Sequence, residues 1–394
     1  MPLKPIGSPF SDSGNWGNSG EEVEERDALM SFDSSFRQQQ GEMSDNTQQD
    51  GEIHVNQSAS PSGRPRYPLS RESVQLARQL SKSINLRDIG ANDEFSGIKR
   101  GKIFRSSEII SHHDMANFGI KSVLDLRKPP ANCTASARNI GQKINRMFSA
   151  MVVWLRHTIF RKKTKLKRTL TLVSEDVLEE YPRCLRCSNM SEATYGTHVD
   201  VYHVDLLPSL ATYWIFYELP LYIKAKIMLM KLRGKEPDHM VADAVADPGV
   251  MGYIKLYKII LRSSKKQIAH AFRIFINDDR MPAIVHCQHG KDRTGLVVML
   301  LYLVCKVPRE VIIRDYAVSE VLLREGRQNN ELRGMPESLT TDRIISSAEE
   351  VMERTLDFLD EEFGGAVGYL SSAGMSLNEI SNLQLALCSM DDDS

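Results

Sequence analysis

The chain has 394 residues, is 41% hydrophobic and 26% charged, and carries a formal net charge of −1. That is globular composition, with room for one large domain or two small ones, and no nucleic-acid partner is expected from it. No uncharged apolar run reaches the ~18–20 residues that a bilayer span needs; the longest, Leu206 to Tyr217, stops at Glu218 and Pro220.

Residues 1–70 hold five Lys/Arg against eleven Asp/Glu and few hydrophobics, while the remainder holds 45 against 40. Such a segment buries too little apolar surface to offset chain entropy, so an acidic, disordered tail is predicted. Its isolated Phe10, Trp16, Phe32 and Phe36 are read as incidental. Order is expected from 71 to 390, beginning with a short helix from Ser70 to Leu80. Ile84-Asn-Leu-Arg-Asp-Ile-Gly90, Gly101-Lys-Ile-Phe-Arg-Ser-Ser107 and Ile120 to Arg127 follow, the last containing a buried strand at Ser122 to Leu126. Arg87, Asp88, Asp125 and Arg127 are candidates to support a site; for Asp88 and Asp125, pinning of strand ends is an equally good reading.

Residues 131–198 look like an insertion. Between 131 and 174 there are ten Lys/Arg and no acid, seven of them within Arg156 to Arg168. A solvated excursion is the favoured reading; the sharper one is a patch for an anionic membrane surface. Cys184-Leu-Arg-Cys187 has metal-ligand spacing, but with only His198 and His203 following it, no metal is expected there. The chain's six cysteines and the lack of a secretory signal suggest an intracellular, reducing, cytoplasmic setting.

Val199 to Asp205 alternates as a strand. The apolar, aromatic stretch from Leu206 to Leu232 is open to three readings, a lid over a site, a membrane-facing surface or plain core, and its place directly after a strand favours the lid. Gly249 to Arg262 and Lys265 to Asn277 have helical spacing, the latter with Ile268, Phe272, Phe275 and Ile276 on one face. Pro308 sits at the first turn of a further helix. Helices are also expected from Ala348 to Phe363, around Val367 to Leu370, and from Leu377 to Leu387.

The chemistry concentrates between 283 and 300. Ala283-Ile-Val285 reads as a buried strand and Leu296 to Val304 as a buried helix, joined by His-Cys-Gln-His-Gly-Lys-Asp-Arg-Thr-Gly from 286 to 295. A strand, a tight polar loop and a helix N-terminus make an anion site from converging N–H groups and the helix dipole. A thiol at the base of such a site, ordinarily near pKa ~8.5, falls to roughly 3.5–7.5. Arg293 offers a planar fork for two phosphate oxygens.

Cys287, five residues, then Arg293 resembles the motif of cysteine-dependent phosphatases. The fuller loop string is similar to that of the bacterial-type tyrosine and dual-specificity phosphatase family, whose members act on phosphotyrosine, other phosphoproteins and phosphoinositides. Asn85-x-Arg87-Asp88-x-Gly90, Gly101-x-x-x-Arg105-Ser106, Asp125-Leu-Arg127 and Asp315-Tyr-Ala-Val-Ser319 extend the resemblance from about 80 to 388, with the insertion as its main departure. It implies one α/β domain with a central, mostly parallel sheet flanked by helices, and the site at the carboxyl ends of the strands.

It also implies Cys287 as nucleophile and Arg293 as phosphate clamp, with the N–H groups of Gln288 to Arg293 turned inward and Gly290 permitting the turn. Thr294 would donate to the sulfur, and His286 would orient the loop. Lys291 and His289 would add positive charge beside the phosphate. The general acid is Asp292 by resemblance, with Asp205 as runner-up. No cofactor or metal is required, because loop dipoles and Arg293 supply the stabilisation. The leading expectation is therefore a protein-tyrosine phosphatase working through a phosphocysteine. A phosphoinositide phosphatase, motivated by His289, Lys291 and the basic insertion, is the alternative, and a non-catalytic phospho-binding module comes last.

Overall fold

The structure is a computed structural model and describes residues 83–91, 97–108, 110–130, 133, 183–235, 237–329, 331–332, 335 and 337–388. The tail at 1–70, the helix expected up to Leu80 and the basic run at 156–168 lie outside the described residues.

The strands are β1 (Arg87–Asp88), β2 (Ile103–Ser106), β3 (Ser122–Asp125), β4 (Asp200–His203) and β5 (Ala283–His286). They form one sheet in the order β1-β2-β5-β3-β4. β1 runs antiparallel to β2, and the other three pairings are parallel. Strands β2, β3 and β5 are buried at every position. Burial on both faces suits a parallel sheet sandwiched by helices and explains why Ala283-Ile-Val285 is continuously apolar rather than alternating. The expected α/β architecture with a mostly parallel sheet is what the chain forms.

Thirteen α-helices are described. They are α1 (His112–Asn117), α2 (Leu185–Tyr195), α3 (Ser209–Glu218), α4 (Leu221–Leu232), α5 (Asp238–Ala246), α6 (Gly252–Ser263) and α7 (Lys265–Phe275), followed by α8 (Asp292–Val304), α9 (Arg309–Gln328), α10 (Asp342–Ile345), α11 (Glu349–Phe363), α12 (Gly365–Ser372) and α13 (Leu377–Leu387). One core cluster joins Leu86, Phe104, Val123, Val201 and Ile284 of the sheet region to Met115 of α1, Ile120 and Val199. Helix α8 is apolar all round and buried all round, from Thr294 through Tyr302, and it packs on β2 and β5. In α7, Ile268, Phe272 and Phe275 are buried, as their spacing predicts.

The stretch expected to cover a site folds as α3 and α4. Trp214, Ile215, Ile223 and Ile227 turn into the core, whereas Leu221 and Leu232 remain 71% and 68% exposed. One feature departs from the sequence expectation. Cys305, at the end of α8, and Cys388, after α13, are disulfide-bonded with their Cα atoms 5.5 Å apart. No described helix is long and apolar enough to cross a membrane.

Candidate active site

Four parallel strands deliver chemistry at their carboxyl ends. Ser106 ends β2, His286 ends β5, Asp125 ends β3 and His203 ends β4. Residues just beyond those ends are Cys287 from β5, Arg127 from β3 and Asp205 from β4, so the topology gathers candidates that lie far apart in sequence.

The loop from Cys287 to Lys291 turns from β5 into the N-terminus of α8. Four consecutive carbonyls in it are held from outside. The Cys287 carbonyl lies 3.1 Å from His286 Nδ1, and the Gln288 carbonyl accepts from Glu108 N–H at 3.0 Å. The His289 carbonyl accepts from Asn85 Nδ2 at 2.9 Å, and the Gly290 carbonyl from Arg105 Nη2 at 2.7 Å. In a planar trans peptide the carbonyl and the following N–H point oppositely. With the carbonyls bonded outward, the N–H groups of residues 288 to 291 face the inside of the loop, forming an anion nest above the helix N-terminus.

Gly290 is required twice over. Its φ is +68°, and a Cβ there would lie 2.1 Å from the Ser106 carbonyl oxygen. Cys287 is 2% exposed, at the floor of the loop. Arg127 and Lys291 both stand close enough to interact electrostatically with its sulfur. Arg293, in the first turn of α8, is partly exposed and donates to the Leu126 carbonyl at 3.3 Å.

Asp292, also in the first turn, accepts from the Tyr257 hydroxyl at 2.6 Å, and Tyr257 in turn meets the Tyr316 hydroxyl at 2.8 Å. The Asp205 carboxyl accepts from Leu207 N–H at 2.9 Å. Burial raises its pKa above the ordinary carboxylate value, against the Leu207 N–H and the nearby Arg293 charge.

Lys291 and His289 occupy different places from those expected. Lys291 is fully buried; its ammonium donates to the carbonyls of Ile344 and Ser346 at 2.6 and 2.7 Å and lies 3.9 Å from the centre of the Tyr253 ring. It fastens the loop to the end of α10 and the residue that follows it, and its charge reaches the site from behind. His289 Nε2 donates to the Leu339 carbonyl at 2.9 Å, and burial beside Lys291 pushes its pKa down to about 4. It is thus a neutral ring at pH 7. His286 is also buried, which lowers its pKa and leaves it to hold the Cys287 carbonyl. The Thr294 hydroxyl is buried without a hydrogen-bond partner among the described residues, so the expected bond to the sulfur is not formed here.

The outlying motifs converge on one network. Arg87 Nε donates to Asp315 Oδ1 at 2.7 Å, and Arg105 Nη1 donates to Asp315 Oδ2 while its Nη2 holds the Gly290 carbonyl. Arg87 also reaches Ser319 Oγ at 3.1 Å. Arg87 therefore braces α9 against β1, with Arg105 carrying that brace to the loop. Arg105, Asp315, Tyr316 and Ser319 lie within the sequence motifs without an expected role, and Tyr257 lies outside every motif. Asp88 lies apart from this network, accepting from the N–H groups of Gly90 and Gly101 at 2.9 and 2.6 Å as a turn brace. Asp125 holds Arg127 through both carboxylate oxygens at 2.9 Å. Burial opposes its ionisation, but His286, His203 and Arg127 outweigh that and keep its pKa far below the ordinary carboxylate value.

A second cluster lies at the β4 edge of the sheet. It brings together Cys133, Cys184, Cys187 and His203, three of which belong to the region where no metal was expected. No local spacing points to this set, because the third cysteine precedes the basic run and is brought close by the tertiary fold.

A family model described as the tyrosine phosphatase family matches residues 78–389. A tyrosine-protein phosphatase of Nostoc commune is 30% identical over 135 residues, covering 32% of this chain and 46% of that protein. The triple specificity protein phosphatase PtpB of Mycobacterium tuberculosis is 30% identical over 121 residues, covering 26% of this chain and 42% of that protein. The chain thus spans less than half the length of these two relatives. The match from 78 to 389 takes in the cysteine loop, the arginine–aspartate brace and the closing helices together, and the chain belongs to the tyrosine phosphatase family.

Proposed function

We propose that the protein hydrolyses phosphotyrosine in proteins through a phosphocysteine intermediate. The observation that carries this is the loop itself: four outward-held carbonyls, N–H groups turned inward, Cys287 at the floor and Arg293 at the start of α8.

In the first step the Cys287 thiolate attacks phosphorus in line with the ester oxygen. The S–P bond forms, the P–O bond to the tyrosine breaks, and the departing phenolate takes a proton from a general acid. The inward N–H groups and Arg293 stabilise the equatorial oxygens as their charge develops. Water then attacks the phosphocysteine, releasing phosphate and the thiolate. Asp292 is the proposed acid. Tyr257 fixes its orientation. A second reading makes Asp205 the acid, because burial already raises its pKa and it sits within the field of Arg293.

The phosphoinositide alternative rests on positive charge at His289 and Lys291 and on the basic insertion, whose run at 156–168 lies outside the described residues. His289 is neutral and bonded to Leu339, and the Lys291 ammonium is engaged by Ile344 and Ser346, so neither supports recognition of additional phosphates. The family's non-catalytic alternative would leave the full set of Cys287, Asp292 and Arg293 without a purpose. The test is a panel of phosphotyrosine peptides and phosphoinositides, assayed with the wild type and Cys287→Ser. Phosphotyrosine peptides should show the larger kcat/KM. A larger value for the lipids would reverse the substrate assignment, and equal turnover by Cys287→Ser would remove the thiolate mechanism.

A further inference from the structure

We propose that Cys133, Cys184, Cys187 and His203 form a structural zinc site that fastens the two ends of the insertion to the edge of the sheet. The four ligand atoms all lie within 4.8 Å of one another. Cys133 Sγ is 3.2 Å from Cys187 Sγ, and Cys187 Sγ is 3.3 Å from His203 Nε2. A tetrahedral zinc with Zn–S of about 2.3 Å and Zn–N of about 2.0–2.1 Å sets its ligand atoms roughly 3.5–3.8 Å apart, so this cluster closes on an ion with shifts of a few tenths of an ångström to about one. Three cysteines and one histidine make a donor set typical of structural zinc.

The local structure places each donor for this role. Cys184 is the N-cap of α2 and Cys187 lies in its first turn, so the helix start directs both toward β4. The Cys184 N–H donates to the Val201 carbonyl at 2.7 Å, which holds that start against the strand. His203 ends β4, the edge strand of the sheet. Its Nε2 faces the sulfurs, and its Nδ1 lies 3.6 Å from Asp125 Oδ2. A carboxylate behind the distal nitrogen is how a metal-bound imidazole is oriented and made more basic. Asp125 is held in turn by Arg127. Cys133 follows the turn after β3, its N–H donating to the Pro130 carbonyl at 2.8 Å, and it stands 54 residues before Cys187.

One ion would thus close the loop formed by the insertion at the point where it leaves and rejoins the domain. Through His203 and Asp125 it would also abut Arg127, whose guanidinium neighbours Cys287. The rival reading of the 3.2 Å sulfur–sulfur approach is a redox pair between Cys133 and Cys187. The two make different predictions for metal content.

The test uses the full chain, purified under reductant without chelator, with zinc measured by elemental analysis and the site reported by the visible and near-ultraviolet spectrum of the cobalt-substituted protein. The expected result is about one zinc per chain and a cobalt spectrum with thiolate charge-transfer bands and intense tetrahedral d–d bands. Cys133→Ser should lose most of the bound zinc, and Asp125→Asn should weaken affinity about 10–100-fold. Because loss of a ligand side chain can also unfold the protein, the wild-type spectrum is read independently of the variants. Sub-stoichiometric zinc without a thiolate–cobalt spectrum would overturn the proposal, as would full zinc occupancy in Cys133→Ser. Turnover of an aryl phosphate is a separate measurement, so failure of the zinc site leaves the phosphatase reading standing.

Discussion

At the scale of single residues, the proposed mechanism divides the side chains between those that meet the phosphate and those that shape the loop. Cys287→Ser keeps the size of the side chain but removes an ionisable nucleophile, so turnover should fall to background while phosphopeptide binding persists in a calorimetric titration. Asp292→Asn should cost about 10²–10⁴ in kcat on a substrate with a poor leaving group, the scale of a lost general acid. The loss should shrink for an activated aryl phosphate, whose leaving group departs as an anion unaided. Asp205→Asn should do little on either substrate. If the leaving-group dependence appears at Asp205 instead, the acid is Asp205 and Asp292 only shapes the loop. Gly290→Ala places a methyl group against the Ser106 carbonyl at a positive φ, so it should abolish activity, with a lowered melting temperature as the accompanying readout.

At the scale of elements, the arginine–aspartate brace ties β1, β2 and α9 to the loop. Asp315 is buried between two guanidinium groups. Removing it leaves two buried cations uncompensated, so Asp315→Asn should cost about 3–5 kcal/mol in denaturant unfolding. Burial would raise the Asp315 pKa, but Arg105 and Arg87 overcome this and lower it. A lowered folded-state pKa stabilises the fold above the unfolded carboxyl's value of ~3.9 and ceases to do so as pH falls through the folded value. The stability gap between wild type and Asp315→Asn should therefore be full near neutral pH and narrow as pH drops below about 4. A gap that stays constant down to pH 2 would show that the carboxylate charge is not what the brace uses.

At the scale of the whole molecule, the family match begins at 78, after the acidic, hydrophobe-poor stretch of 1–70. Deleting residues 1–70 should leave melting temperature and aryl-phosphate turnover nearly unchanged. A drop of several degrees in the truncated protein would show that the stretch contributes to the folded domain. The zinc site proposed above belongs to the same scale, since it joins Cys133 to residues that return some fifty positions later.

Much of this protein is legible in its sequence because the information is local. The strand Ala283-Ile-Val285, the ten-residue loop string and the apolar helix after it occupy one contiguous stretch, and hydrophobic period, glycine placement and charge identify them without long-range knowledge. The strands at Ser122 and Val199 are likewise legible from short apolar or alternating runs, whereas the order of the strands in the sheet is not. What the sequence could not determine is where long side chains end. Lys291 and His289 read as charges for a ligand, yet tertiary packing gives them the carbonyls of Ile344, Ser346 and Leu339 as partners, and burial neutralises His289. The common purpose of Arg87, Arg105 and Asp315, the hydroxyl pair behind Asp292, the Cys305–Cys388 bond and the third cysteine beside Cys184 and Cys187 all depend on contacts between residues from 16 to more than 200 positions apart. Such contacts are decided by how the helices and the sheet pack, since no local pattern encodes which distant partner a buried polar group will find.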